Sequence, residues 1–134
     1  MTSFQIVALY VALNIILAVI LMFRVGQVRI GKKVSLGDGG DNELFARIRT
    51  HGNYIENAPL ALIGLFALAM MNGHIVALHV FGIAFLLGRL LHAQGMGTKN
   101  ALGKGRSAGM ILTLFTHLGQ AAYLLYLVFT FNLA

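Results

Sequence analysis

Three short stretches carry the side chains that could do chemistry. The first reads Arg49-Thr-His51-Gly-Asn53-Tyr-Ile-Glu56-Asn57-Ala-Pro59. At about 100° per residue on a helix, Arg49, Asn53 and Glu56 fall within about 60° of one another, so a cation, an amide and a carboxylate share one face, with His51 pointing roughly the opposite way. The second is Gly88-Arg89-Leu-Leu-His92, whose Arg89 and His92 form an i,i+3 pair able to meet that face. The third is the row Arg106, Met110, Thr113, His117 and Gln120, spaced four, three, four and three along one face of a further helix. Arginine forks bind carboxylates through paired hydrogen bonds, an asparagine both donates and accepts, and a glutamate can take a ligand ammonium or fix an arginine. Such a set suits a small zwitterion with more negative than positive groups.

Each feature also has a plainer reading. Arg49 could snorkel to an interface with Glu56 as its counter-ion, and His92 could be a helix-end histidine without a role. Thr113, His117 and Gln120, like Asn14 in the first apolar run, fit interhelical hydrogen bonding. The segment Gly37-Asp38-Gly39-Gly40-Asp41-Asn42-Glu43 has neither phosphate-loop nor calcium-loop spacing and reads as a tight turn with solvated charges. The histidines form no H-x-x-x-H pair, no Ser-His-Asp signature is visible, and the chain has no cysteine. No metal site is expected, and any thiol chemistry must use a thiol from elsewhere.

The elements that hold these residues follow from hydropathy. Of 134 residues, 58% are apolar and 10% charged, against roughly 25% charged in an ordinary soluble domain. Ten Lys+Arg and four Asp+Glu cannot clothe a water-soluble globule of this size, so lipid must be the solvent. Phe4 to Phe23 is an uncharged run of twenty residues, enough at about 1.5 Å per residue to cross roughly 30 Å of hydrocarbon. Its basic residues follow rather than precede it, which argues against a cleaved signal peptide. Asn57 to Gly88 is a second run of 32, split by the turn dipeptide Asn72-Gly73. Two helices must share it and extend outward into charged residues. The expected spans are about 4–23, 49–71, 74–94 and 108–131, with Gly95 to Gly105 as the last loop: an all-α, up-down, four-helix transmembrane bundle in a single domain.

All ten basic residues flank the first and third loops: Arg24, Arg29, Lys32, Lys33, Arg47 and Arg49, then Arg89, Lys99, Lys104 and Arg106. The positive-inside rule places those loops in the cytoplasm and both termini outside. Topology and anionic lipid also account for the net charge of +6, so no nucleic-acid partner is expected.

With these residues in view, the chain resembles the MAPEG superfamily, the membrane-associated proteins in eicosanoid and glutathione metabolism. The matching motifs are R-x-H-G-N-x-x-E-N-x-P at Arg49 to Pro59, G-R-L-L-H at Gly88 to His92, and Arg106-Ser107 before the last span. Leu36 to Gly40 is similar to the small bacterial inner-membrane members. The resemblance implies a homotrimer in that membrane, with glutathione as co-substrate between neighbouring subunits and no metal. Arg49, Asn53 and Glu56 would hold its backbone, with Arg89 and His92 bordering the site. Arg106 would stand where catalytic members place the arginine that stabilises the thiolate.

The implied function is a glutathione transferase, with a peroxidase reaction as a related activity, that detoxifies lipophilic electrophiles reaching it through membrane lipid. A guanidinium beside the sulfur would lower the thiol pKa from about 8.5 toward neutrality and so supply the nucleophile. Members often carry tyrosines where this chain has Asn57, Met96 and Met110, which keeps open a non-catalytic lipid- or glutathione-binding protein of the same fold. A small multidrug transporter is disfavoured, because the first span lacks the carboxylate that marks an ion pathway.

Overall fold

Local capping sets the ends of the helices. In the computed structural model, which describes residues 1–96 and 103–131, Thr2 opens α1 (Ser3–Lys32) with a reciprocal capping box. The Gln5 amide donates to Thr2 Oγ1 at 3.2 Å, and the Thr2 amide donates to Gln5 Oε1 at 2.8 Å. Asp41 opens α2 (Asn42–Met70) by accepting from the Leu44 amide at 2.9 Å. α3 spans Ile75–Met96 and α4 spans Lys104–Phe131. No strand occurs among the described residues.

The connection from α2 to α3 is the turn expected at Asn72-Gly73. Asn72 takes a left-handed conformation (φ 56°), and the Asn72 and Gly73 amides donate back to the carbonyls of Ala69 and Leu68, closing a Schellman motif. Lys33 (φ 55°) ends α1 in the same way, with the Val34 amide donating to Arg29 O at 3.1 Å.

The helices run longer than the apolar stretches that announced them. α1 continues from Phe23 to Lys32, because thirty residues extend about 45 Å and carry the basic end past the hydrocarbon. α2 begins at Asn42 instead of Arg49, since the Asp41 cap, a Lys32–Asp41 ion pair at 2.9 Å and an Arg47–Glu43 contact at 3.7 Å stabilise its first turns. Asp41, Asn42 and Glu43 therefore start a helix, and only the residues before them form the solvated turn. α3 starts one residue late and ends at Met96, and α4 starts at Lys104 rather than 108. The middle of the expected last loop, Lys99 included, lies outside the described residues.

All four helices are long and apolar enough to span a membrane. Their outward faces are oily, as at Ile15, Phe23, Leu60, Ile111 and Phe129, while the interior holds Asn14, Arg89, His92, Thr113, Thr116 and Gln120. This inversion is what a lipid solvent selects. Around that polar line sit two apolar clusters. One packs Ile6, Tyr10, Leu65, Leu68, Leu78 and Phe81 near the α2–α3 turn, and the other packs Leu17, Leu21, Tyr54, Ala58, Phe85 and Ala93 toward the basic end.

Candidate functional site

Glycines determine where the polar residues meet. A Cβ at Gly88 would lie 3.0 Å from the Gly109 carbonyl oxygen, and one at Gly109 would collide with the Gly88 carbonyl and His92. The backbones of α3 and α4 thus touch at this level, as small-residue interfaces allow in membranes. That approach delivers Arg89, one residue beyond Gly88, against the inner face of α4.

Arg89 is only 2% exposed. Its Nη1 donates to Asn53 Oδ1 on α2 at 2.7 Å, and its Nη2 donates to Thr113 Oγ1 on α4 at 2.5 Å and reaches the Gly109 carbonyl at 3.5 Å. Thr113 Oγ1 in turn donates a hydrogen bond to the Gly109 carbonyl at 2.8 Å. The guanidinium lies over the Phe85 ring, 5.8 Å from its centroid, and the edge of His117 meets the same ring. Arg89 Nε is buried with no hydrogen-bond partner among the described residues. The result is a cation at membrane depth whose hydrogen-bond partners among the described residues are all neutral. A buried charge of that kind calls for an anion.

The other expected site residues fall into two groups. His92 is buried beside Gly109, one turn along α3 from Arg89. Asn53 is half-buried and points inward. Arg49 and Glu56, one turn to either side of it, are exposed on the outer surface of the single chain. They do not pair with each other, so the counter-ion reading of Glu56 has no support among the described residues. Arg106 and Met110 are exposed at the start of α4, although Met110 Sδ reaches Arg89 Nη2 at 3.8 Å, whereas Thr113 and Gln120 are buried, so the expected stripe is buried mainly along its second half.

Asn14 and Gln120 do form the interhelical bonds expected of them. Tyr54 Oη donates to Asn14 Oδ1 at 3.2 Å and to the Asn14 main-chain carbonyl at 2.7 Å, and Gln120 Nε2 donates to the Ala61 carbonyl at 3.0 Å. Asn57 spends its amide within its own helix, on the Asn53 carbonyl at 2.8 Å. Tyr54 and Phe85 were not among the expected site residues. A tyrosine directly after Asn53 was the available signal for the first, and nothing in the sequence marks Phe85 from its neighbours. Among the described residues no three His, Asp or Glu side chains gather as a metal site would need.

Comparison with known proteins finds a family and two relatives. A family model described as the MAPEG family matches residues 7–126, and so takes in every residue just described. "Inner membrane protein YecN" of Escherichia coli, in strain K12 and again in strain O6:H1, is 36% identical over 106 residues, covering 79% of each chain. No solved structure matches.

Proposed function

This chain belongs to the MAPEG family, and from that premise we propose that it is an integral inner-membrane, glutathione-dependent transferase acting as a homotrimer on lipophilic electrophiles. The observation that carries the reading is Arg89, a buried guanidinium with neutral partners and an unsatisfied Nε. The donor set fits glutathione, a tripeptide with two carboxylates and one ammonium. Arg49 supplies a fork for a carboxylate, Glu56 accepts from the ammonium, and Asn53 links them to the buried Arg89, whose Nε has no partner among the described residues. Because Arg49 and Glu56 lie on the outside of one chain, a neighbouring subunit is needed to close the site around them. His92 borders it from α3.

Arg106 would stabilise the thiolate, which attacks the electrophilic carbon. The C–S bond forms from the sulfur lone pair, and the electrons of the broken bond leave with the displaced group or take a proton from water. Apolar walls open to lipid would deliver the second substrate.

A second reading is favoured by Asn57, whose amide is committed to its own helix and lends nothing to a sulfur atom. On that reading the chain binds glutathione or lipid without turnover. Isothermal titration of the detergent-solubilised protein with glutathione, followed by a conjugation assay with a lipophilic aryl halide, separates the two. Transferase function requires heat and product, and the non-catalytic reading requires heat alone. Absence of both, with Arg49→Ala and Glu56→Gln indistinguishable from wild type, would make the polar face structural.

A further inference from the structure

A second polar feature lies on another face of α3. Between α1 and α3 runs an open groove of about 310 Å³, with walls formed by Leu17, Leu21, Leu90 and Ala93 and one end marked by Arg24 and Gln94. It is separate from the site above, since Arg89 and His92 turn toward α4 while Leu90, Ala93 and Gln94 turn toward α1.

Depth explains the distribution of its residues. The uncharged run Phe4 to Phe23 crosses about 30 Å of hydrocarbon and so leaves Arg24 at the level of lipid phosphates. Gln94, near the end of α3, sits beside it. The apolar walls lie deeper, at the level of acyl chains.

Arg24 is half-buried and forms no hydrogen bond or ion pair among the described residues. The charge acting on it is that of Arg47, another cation. None of the four acids neutralises it. Asp41 is bound to Lys32, Glu43 faces Arg47, Asp38 accepts from the Gly40 amide, and Glu56 is exposed on α2. A half-buried cation at phosphate depth, with a second cation near it and an apolar groove beneath, is complementary to one class of molecule.

We propose that the α1–α3 groove binds one anionic phospholipid per chain, with the phosphate on Arg24 and Gln94 and an acyl chain against Leu17, Leu21, Leu90 and Ala93. A zwitterionic lipid offers the same phosphate but adds a choline cation near Arg24 and Arg47, so the site discriminates by headgroup charge. The assignment does not depend on the transferase reading.

The test is native mass spectrometry of the protein in a maltoside detergent, titrated with palmitoyl-oleoyl phosphatidylglycerol and, separately, the matching phosphatidylcholine. Wild type should bind the first lipid of the anionic series at least fivefold more tightly than that of the zwitterionic series. Arg24→Gln should abolish the preference, Arg24→Lys should keep most of it, and Lys33→Gln, outside the groove, should leave it unchanged. Ile20→Trp, at an exposed wall position, blocks the tail while sparing the cation and should weaken both lipids. The proposal is overturned if the preference survives Arg24→Gln, or if Lys33→Gln removes it equally, which would mean a diffuse field of basic charge. Displacement of the lipid by equimolar glycerol phosphate would likewise overturn it, because the headgroup alone would then suffice.

Discussion

Arg89→Met separates what the buried cation does for the fold from what it does for a ligand. In the folded chain Arg89 makes two short hydrogen bonds, to Asn53 at 2.7 Å and to Thr113 at 2.5 Å. Bonds from a charged donor contribute about 1.5–3 kcal/mol each. Against them stands the cost of holding an unneutralised guanidinium away from water, which is several kcal/mol per ion even after relaxation. Methionine removes both terms, fills similar volume beside Phe85, and leaves Thr113 still donating to Gly109. The two contributions nearly cancel, so stability in detergent should change by less than about 2 kcal/mol in either direction.

Glutathione binding has no such cancellation. Loss of one charge-assisted contact should cost about 1.5–3 kcal/mol, or about 10- to 150-fold in Kd. Reversible unfolding in mixed micelles reads the first quantity and isothermal titration the second. A variant destabilised by more than about 3 kcal/mol, the usual cost of breaking a buried charge network, whose folded fraction binds glutathione as wild type does, would refute the reasoning and make Arg89 a structural strut.

Three other outcomes are expected. Arg106→Ala should keep glutathione affinity within about tenfold yet raise the bound thiol's apparent pKa, because only the charged form of sulfur loses its partner, and thiolate absorbance near 240 nm followed against pH reads the change. Reporter fusions after Ala134 and at Asn72 should both read as external and one at Lys99 as cytoplasmic, in keeping with the one-sided basic residues. The Lys32 ammonium and the Leu44 amide hold the Asp41 carboxyl below its ordinary value. The α2 start should therefore keep this stabilisation above about pH 4 and lose it only as pH falls through the lowered value, while Asp41→Asn, measured by circular dichroism, should show no such acid limb.

The spans were legible because an uncharged run of twenty residues has few alternatives, and the α2–α3 turn because Asn-Gly suits a left-handed corner. Helix ends in the aqueous layer were less legible, since hydropathy stops at the hydrocarbon and helices do not. The capping chemistry of Asp41 would have placed the start of α2. The meeting of Arg89 with the helix-two face could be anticipated from depth and periodicity. The division of that face could not. Its arc of about 60° straddles the line between bundle interior and outer surface, so Asn53 turns in and its neighbours turn out. Thr113 as the partner of Arg89 was hidden too, because it depends on how closely Gly88 and Gly109 let two backbones approach.

That close approach bears on the order in which the chain is made. Synthesis runs from the N-terminus, so α3 reaches the bilayer before Gly109 and Thr113 exist. At that moment Arg89 has one acceptor among its eventual partners, Asn53 on the preceding helix. The Schellman corner at Asn72-Gly73 joins those two helices with almost no slack, so α2 and α3 enter most cheaply as a hairpin with one of the cation's two short hydrogen bonds already made. The fourth helix then arrives to a prepared groove. Its large buried side chains are polar, Thr113, Thr116 and Gln120; Thr113 accepts from Arg89 on α3 and Gln120 donates to the Ala61 carbonyl on α2, while Thr116 donates to Leu112 within its own helix. A nascent chain halted after Met96 should accordingly insert less completely when Asn53 is replaced by Leu, whereas the full chain, with Thr113 in place, should tolerate the change.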